Sequence, residues 1–103
     1  MARQLVPSEA AARGASQAWT VIAKEFRFAP DTLDVTAGQK VTFEFQNQDT
    51  VDHNVLSPDG ALREVILWPG QPRTVEWTAP ARAGTVKLVC TYHRGMEITL
   101  HVK

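Results

Sequence analysis

From Val41 to Gln46 the chain alternates without a break: Val41, Phe43 and Phe45 are apolar, and Thr42, Glu44 and Gln46 are polar. A period of two puts every second side chain on one face of an extended segment, so this run predicts a strand with one dry and one wet face. The same period opens at Trp19, where Trp19, Val21 and Ala23 interleave with Thr20, Ile22 and Lys24. Further strands are predicted at 32–36, 53–56, 73–78, 85–90 and 97–102. Turn-forming clusters at 29–31, 57–60, 69–70 and 79–81, together with Ala37-Gly38, separate them. Short strands at such spacing, with no convincing internal helix and no repeat, predict an all-β antiparallel sandwich.

The length of 103 residues suits one domain with one core. Residues 1–18 are rich in Ala, Ser, Gln and Arg, and are expected to form a mobile N-terminal tail or a short helix capped by Ser8 and ended by Gly14. Residues 19–103 are expected to form the folded domain. Eleven basic and eleven acidic residues cancel and lie scattered, so the chain lacks the basic footprint of a nucleic-acid binder. No apolar run approaches the length of a membrane span. The first residues have no hydrophobic segment of the signal-peptide kind, which leaves either a cytosolic chain or a mature one whose leader has been removed.

The single cysteine rules out an internal disulfide and any site that needs two thiolates. Its neighbours give it a different meaning. Cys90, His93 and Met96 follow at i, i+3 and i+6, and His53 stands alone upstream. A thiol, two imidazoles and a thioether are the donors of a trigonal copper site tuned for electron transfer, in which the sulfur ligands suit Cu(I) and imidazole suits both oxidation states. The strand pattern brings them together. Val86, Leu88 and Cys90 share one face; Ile98, Leu100 and Val102 share the core face of the next strand, which Met96 opens. His93 then sits on the connecting loop, where Gly95 can take the positive φ of a tight connection. Taken singly, a cysteine in a core strand is an ordinary small buried side chain. The copper reading rests on the conjunction of four donors. His101 alternates outward and is read as a surface residue. A Cys–His nucleophile pair is the competing enzymatic reading, but it needs an orienting third group and a substrate cleft, and gives Met96 no role.

From about Phe26 onward the chain resembles the cupredoxins, the small blue copper proteins, and most closely the amicyanin and plastocyanin group. The resemblance lies in Phe26-Arg27-Phe28-Ala29-Pro30, Leu33-Asp34-Val35-Thr36-Ala37-Gly38, Val41-Thr42-Phe43, Asn47-Gln48-Asp49, Asp52-His53-Asn54-Val55 and the loop from Cys90 to Met96. It implies an eight-stranded Greek-key sandwich with one type 1 copper ion at one end. His53, Cys90 and His93 would be the equatorial ligands and Met96 the weak axial one. Asn54 would tie the two ligand-bearing loops together through Thr91, tuning the site from outside the ligand set. Tyr92 and Arg94 stand where amicyanin-like loops tend to carry Pro, and Arg94 alters an otherwise apolar rim. The implied function is a one-electron carrier, not an enzyme, acting as a monomer in the periplasm or another extracytoplasmic space. A redox protein would dock near His93. The alternative is a copper protein for delivery or storage, or a site with an open position or with Glu64 or Glu97 as ligand in place of Met96.

Overall fold

The computed structural model describes residues 17–103. The expected tail helix over 8–13 lies outside the described residues. The described residues form nine strands and no helix: β1 (Gln17–Lys24), β2 (Arg27–Ala29), β3 (Thr32–Val35), β4 (Lys40–Asn47), β5 (His53–Val55), β6 (Val65–Leu67), β7 (Arg73–Thr78), β8 (Gly84–Val89) and β9 (Glu97–Val102). One sheet has the order β2-β1-β4-β7 and the facing one β3-β9-β8, with β5 and β6 as a separate two-stranded ribbon. Paired backbone hydrogen bonds between Leu56 and Val89, at 3.0 and 2.8 Å, fasten that ribbon to the edge of β8.

The sandwich is all-β and Greek-key as expected, but the described residues form nine strands where eight were expected, and its sheets are mixed. β1–β2, β4–β7, β5–β6 and β8–β9 are antiparallel, whereas β1 runs parallel to β4 and β3 parallel to β9. A parallel neighbour needs a crossover. Here the chain turns from β1 into β2, crosses to the other sheet as β3, and returns as β4. The first strand begins at Gln17, two residues ahead of the Trp19 start, and its Gln17 side chain accepts a hydrogen bond from the Thr36 amide at 2.9 Å.

The alternation in β4 becomes the heart of the core. Val41, Phe43 and Phe45 are fully buried, while Thr42, Glu44 and Gln46 are half-buried on the other face. Phe43 stacks on Phe45 at 5.4 Å and meets Trp77 of β7 at 5.9 Å. From the facing sheet come Leu33, Leu88, Ile98 and Leu100, also buried. Each such side chain stabilises the fold by roughly 1.5–3 kcal/mol through its removal from water. The Ala37-Gly38 turn forms as expected: Gln39 N–H donates to Thr36 O at 3.1 Å, with Gly38 at φ 75° in the third position, as a type II turn requires.

The β1–β2 connection is less ordinary. Lys24 pairs with Arg27, leaving Glu25 and Phe26 as a two-residue turn with φ of 54° and 60°. Two successive positive φ values are the signature of a type I′ hairpin, a place that Asn-Gly usually fills. A bulky residue such as Phe26 reaches that region only when its surroundings hold it there.

Candidate metal centre

β4 ends at Asn47, β5 starts at His53, and the loop from Cys90 to Met96 joins β8 to β9, and these two connections meet at one end of the sandwich. Asn47 organises the first of them. Buried itself, it donates through Nδ2 to Val51 O and Leu67 O, both at 2.8 Å, and its Oδ1 accepts from the Asp49 amide at 2.9 Å. The segment between β4 and β5 is thereby pinned from within, and His53 emerges at a fixed point.

His53 is 0% exposed. Its Nε2 lies 2.7 Å from Asp49 Oδ2, and its Nδ1 lies 3.9 Å from Cys90 Sγ. A carboxylate accepts but cannot donate, so the ring proton belongs on Nε2 and the Nδ1 lone pair is left facing the thiol. That is the tautomer a metal ligand needs. Burial pushes the Asp49 carboxyl up, but hydrogen bonds from His53 and from the Phe26 and Glu25 amides together outweigh it and hold the group below its ordinary value.

The cysteine loop is fastened separately. The Cys90 amide donates to Met96 O at 2.9 Å, which draws the two ends of the loop together. Asn54 is buried, and its Oδ1 accepts from the Thr91 amide at 2.7 Å while its Nδ2 donates to Thr91 Oγ1 at 2.8 Å and to Glu64 Oε2 at 2.7 Å. Gly95 has φ 83°, the positive value anticipated for the tight connection. His93 is half-buried, its ring centre 4.9 Å from that of His53 at 75° between planes. Met96 is buried against the core, and Cys90 is 5% exposed.

Among the described residues no three His, Cys, Asp or Glu side chains stand close enough together to hold an ion by themselves. The arrangement is a preset pair, His53 and Cys90, with the second imidazole one ring-width away and the thioether tied in through the backbone. The pair fits a metal. With imidazole and thiolate bonds of about 2.0 and 2.3 Å, a 3.9 Å separation would correspond to an angle of roughly 130° at an ion held between them, about 10° above the trigonal value. The donors are soft sulfur and imidazole, with no carboxylate in the group. Glu97 instead pairs with Lys87 at 3.2 Å on the surface, and Glu64 is engaged with Asn54. His101 lies on the outer face of β9, opposite Asp34 and Thr85 and away from this end.

Two residues at this end escaped sequence reasoning as site components. Asp49 meets His53, and Phe26 lays its ring edge-on to both imidazoles, 4.8 Å from His93 and 5.8 Å from His53. The exposed large apolar side chains, Phe26, Val51, Trp68 and Tyr92, all belong to connections at this end. Tyr92 is 49% exposed beside His93, and its hydroxyl is raised above the usual value, first by desolvation and then by the negative groups Glu64, Asp52 and Cys90. Arg73 caps the Trp68 ring at 5.1 Å.

A β-sandwich with a cysteine, two histidines and a methionine gathered at one end defines a class, and comparison with known proteins agrees. The profile of the cupredoxin-like domain matches residues 2–102, and the chain belongs to that family. Among solved structures it is similar to auracyanin A, a "blue" copper protein from the green thermophilic photosynthetic bacterium Chloroflexus aurantiacus, with TM-score 0.73 and 24% identity over 86% of this chain and 100% of that one. Dithionite-reduced auracyanin from Roseiflexus castenholzii gives TM-score 0.72 and 24% identity, covering 87% and 99%. Amicyanin from Paracoccus versutus gives 0.65 and 21%, covering 84% and 81%. At these identities the likeness is one of fold. No curated protein matches the chain. No helix among the described residues is long and apolar enough to cross a membrane.

Proposed function

We propose that the chain is a one-electron carrier built on a single type 1 copper site, with His53, Cys90 and His93 as equatorial ligands and Met96 as the weak axial one. The observation that carries this is His53 Nδ1 facing Cys90 Sγ at 3.9 Å, with the imidazole proton fixed on the far nitrogen by Asp49. Copper held there supplies a Cu(I)/Cu(II) couple at a thiolate and two imidazoles. The protein's part is to keep those donors still. Asn54 locks Thr91 beside the cysteine, Asn47 locks the approach to His53, and core packing locks Met96. Donors that move little between oxidation states suit fast transfer.

His93 is the donor nearest solvent, and the apolar side chains around it form the face on which a redox protein would dock. The copper chemistry named for auracyanin A supports the same reading. We place the protein, as a monomer, in the periplasm or another extracytoplasmic space. Against a carboxylate-ligated site, Glu64 and Glu97 are both engaged elsewhere.

Cys90, His53 and Asp49 also follow the order of a nucleophile, a base and an orienting carboxylate. With Cys90 5% exposed and His53 fully covered, the pair is closed to a substrate carbonyl, and a carrier is the better reading than an enzyme.

The test is a titration of the metal-free protein with Cu(II), followed by absorption spectroscopy. An intense thiolate-to-copper band at one equivalent is expected; no such band would refute the copper assignment.

A further inference from the structure

Asp49 makes more contacts than a ligand-orienting carboxylate requires. Its Oδ2 accepts from His53 Nε2 at 2.7 Å and from the Phe26 amide at 3.1 Å, and its Oδ1 accepts from the Glu25 amide at 2.7 Å. Those two amides belong to the β1–β2 turn, whose residues sit at φ 54° and 60° without a glycine or asparagine between them. The turn in turn presents Phe26, 50% exposed, with its ring edge-on to His93 and His53. An exposed phenylalanine has no hydrophobic reason of its own to occupy a left-handed conformation, which is strained for a bulky side chain. Two charge-assisted hydrogen bonds to its turn, a stronger kind than neutral ones, supply what the residue lacks. The carboxylate is itself held, since the Asp49 amide is bound to Asn47 Oδ1 and its side chain is only 13% exposed.

We propose that Asp49 is a positioning residue that fixes His53 and the Phe26 turn as one unit, so that the Phe26 ring is a cover over the two imidazoles whose placement depends on the same carboxylate that sets the tautomer of His53. The cover excludes water from the outer edge of the pair and leaves the His93 ring little room to swing away. It also makes the Phe26 ring, rather than a bare imidazole, the outermost group over this part of the site. Loss of the carboxylate frees both ends together; loss of the phenyl ring frees only the cover. The unit rests on the copper assignment above for its purpose, but its existence can be tested without metal.

The experiment compares the full-length wild-type, Asp49→Asn and Phe26→Ala proteins. Asparagine keeps the shape of the side chain but turns one acceptor into a donor, which cannot satisfy the N–H groups aimed at it. In the metal-free proteins, NMR reads amide exchange at Glu25 and Phe26 and the protonation site of the His53 ring. Exchange at both amides is expected to quicken about tenfold or more in Asp49→Asn, and the His53 proton to distribute over both nitrogens, while β4 core amides keep their wild-type rates. Phe26→Ala is expected to keep His53 protonated on Nε2. In the copper-loaded proteins, Asp49→Asn is expected to raise the reduction potential, because a carboxylate-bound imidazole is the more basic ligand and favours Cu(II). Both variants are expected to lose Cu(I) to a chelator faster than wild type. Unchanged turn exchange and an unchanged His53 tautomer in Asp49→Asn would overturn the proposal. Copper loss at the wild-type rate in Phe26→Ala would overturn the cover. If wild type takes up no copper, the functional assignment fails while the metal-free measurements still decide the unit.

Discussion

At the scale of single residues, the proposed donors stand out in the sequence because three of them are local. Cys90, His93 and Met96 lie within seven positions, and the strand pattern on either side shows which way each end faces. Asp49 was not legible as a site residue, since its partners are His53, Glu25 and Phe26, and only the folded chain brings the latter two to it across 24 and 23 positions. The roles assigned to the donors lead to two predictions. Cys90→Ala should abolish the thiolate-to-copper band and leave the sandwich folded, because the core loses one small group there, worth about 1 kcal/mol. Absorption and circular dichroism on the same sample check both halves, and His101→Ala should change neither; an intense band surviving in Cys90→Ala would remove the cysteine from the site. Met96→Gln should bind copper but with a lower reduction potential, because an amide oxygen is harder than a thioether and stabilises Cu(I) less. Burying the amide should also cost about 1–3 kcal/mol of stability. Voltammetry decides the matter, and an unchanged potential would make Met96 a core residue only.

At the scale of elements, the long alternating strands were readable, and of the short ones β3 and β5 were predicted while β2 and β6 were not. β4 and β9 show their period over eight and six residues, whereas β2 and β6 have three residues each, too few to display a period. β2 was hidden further because its hairpin turn is Glu25-Phe26, with none of the residues that usually mark such a turn. β6 lies beyond the 57–62 excursion, which is held by side chains rather than by repeating pattern. There Asp59 accepts from the Ala61 amide at 2.9 Å and from Ser57 Oγ, and Trp77 Nε1 donates to Ala61 O at 2.8 Å. The Ser57 hydroxyl first, and then the Ala61 amide, hold the Asp59 carboxyl below its ordinary value near 3.8, outweighing the opposing desolvation. A carboxyl depressed in the folded state contributes stability above its unfolded pKa, and that contribution fades as pH falls through the folded value. Asp59→Asn should therefore be less stable than the parent at about pH 5, and the gap should narrow at about pH 2.5. Denaturant titrations at the two pH values measure it; a gap that stays constant would mean that the carboxylate charge is not what holds the turn.

At the scale of the whole molecule, the sandwich class could be read from the chain, but the pairing of its strands could not. Alternation shows which face of a strand is dry and carries no information about its neighbours, so the parallel pairings β1–β4 and β3–β9 had to come from the structure. The same separation between scaffold and site governs what metal should do. The buried core, of which Cys90 and Met96 are part, spans both sheets without an ion, and hydrogen bonds already place His53 and Cys90. The metal-free protein should thus be folded, and copper should stabilise it by mass action, by about 4 kcal/mol at a thousandfold excess over Kd. For a domain of this size that is a rise in Tm on the order of 15–30 °C. Scanning calorimetry with and without copper checks it, and equal Tm values would show that the ion binds the folded and unfolded chains alike.

The order β3-β9-β8 also bears on how the protein comes off the ribosome. β9 is made after both of its neighbours yet stands between them, so β3 and β8 must wait with unpaired backbone edges until it emerges. Those edges offer a nascent chain the wrong partners, its own or another molecule's. Synthesis of the segment carrying Glu97–Val102 is then the moment at which the second sheet closes and that exposure ends.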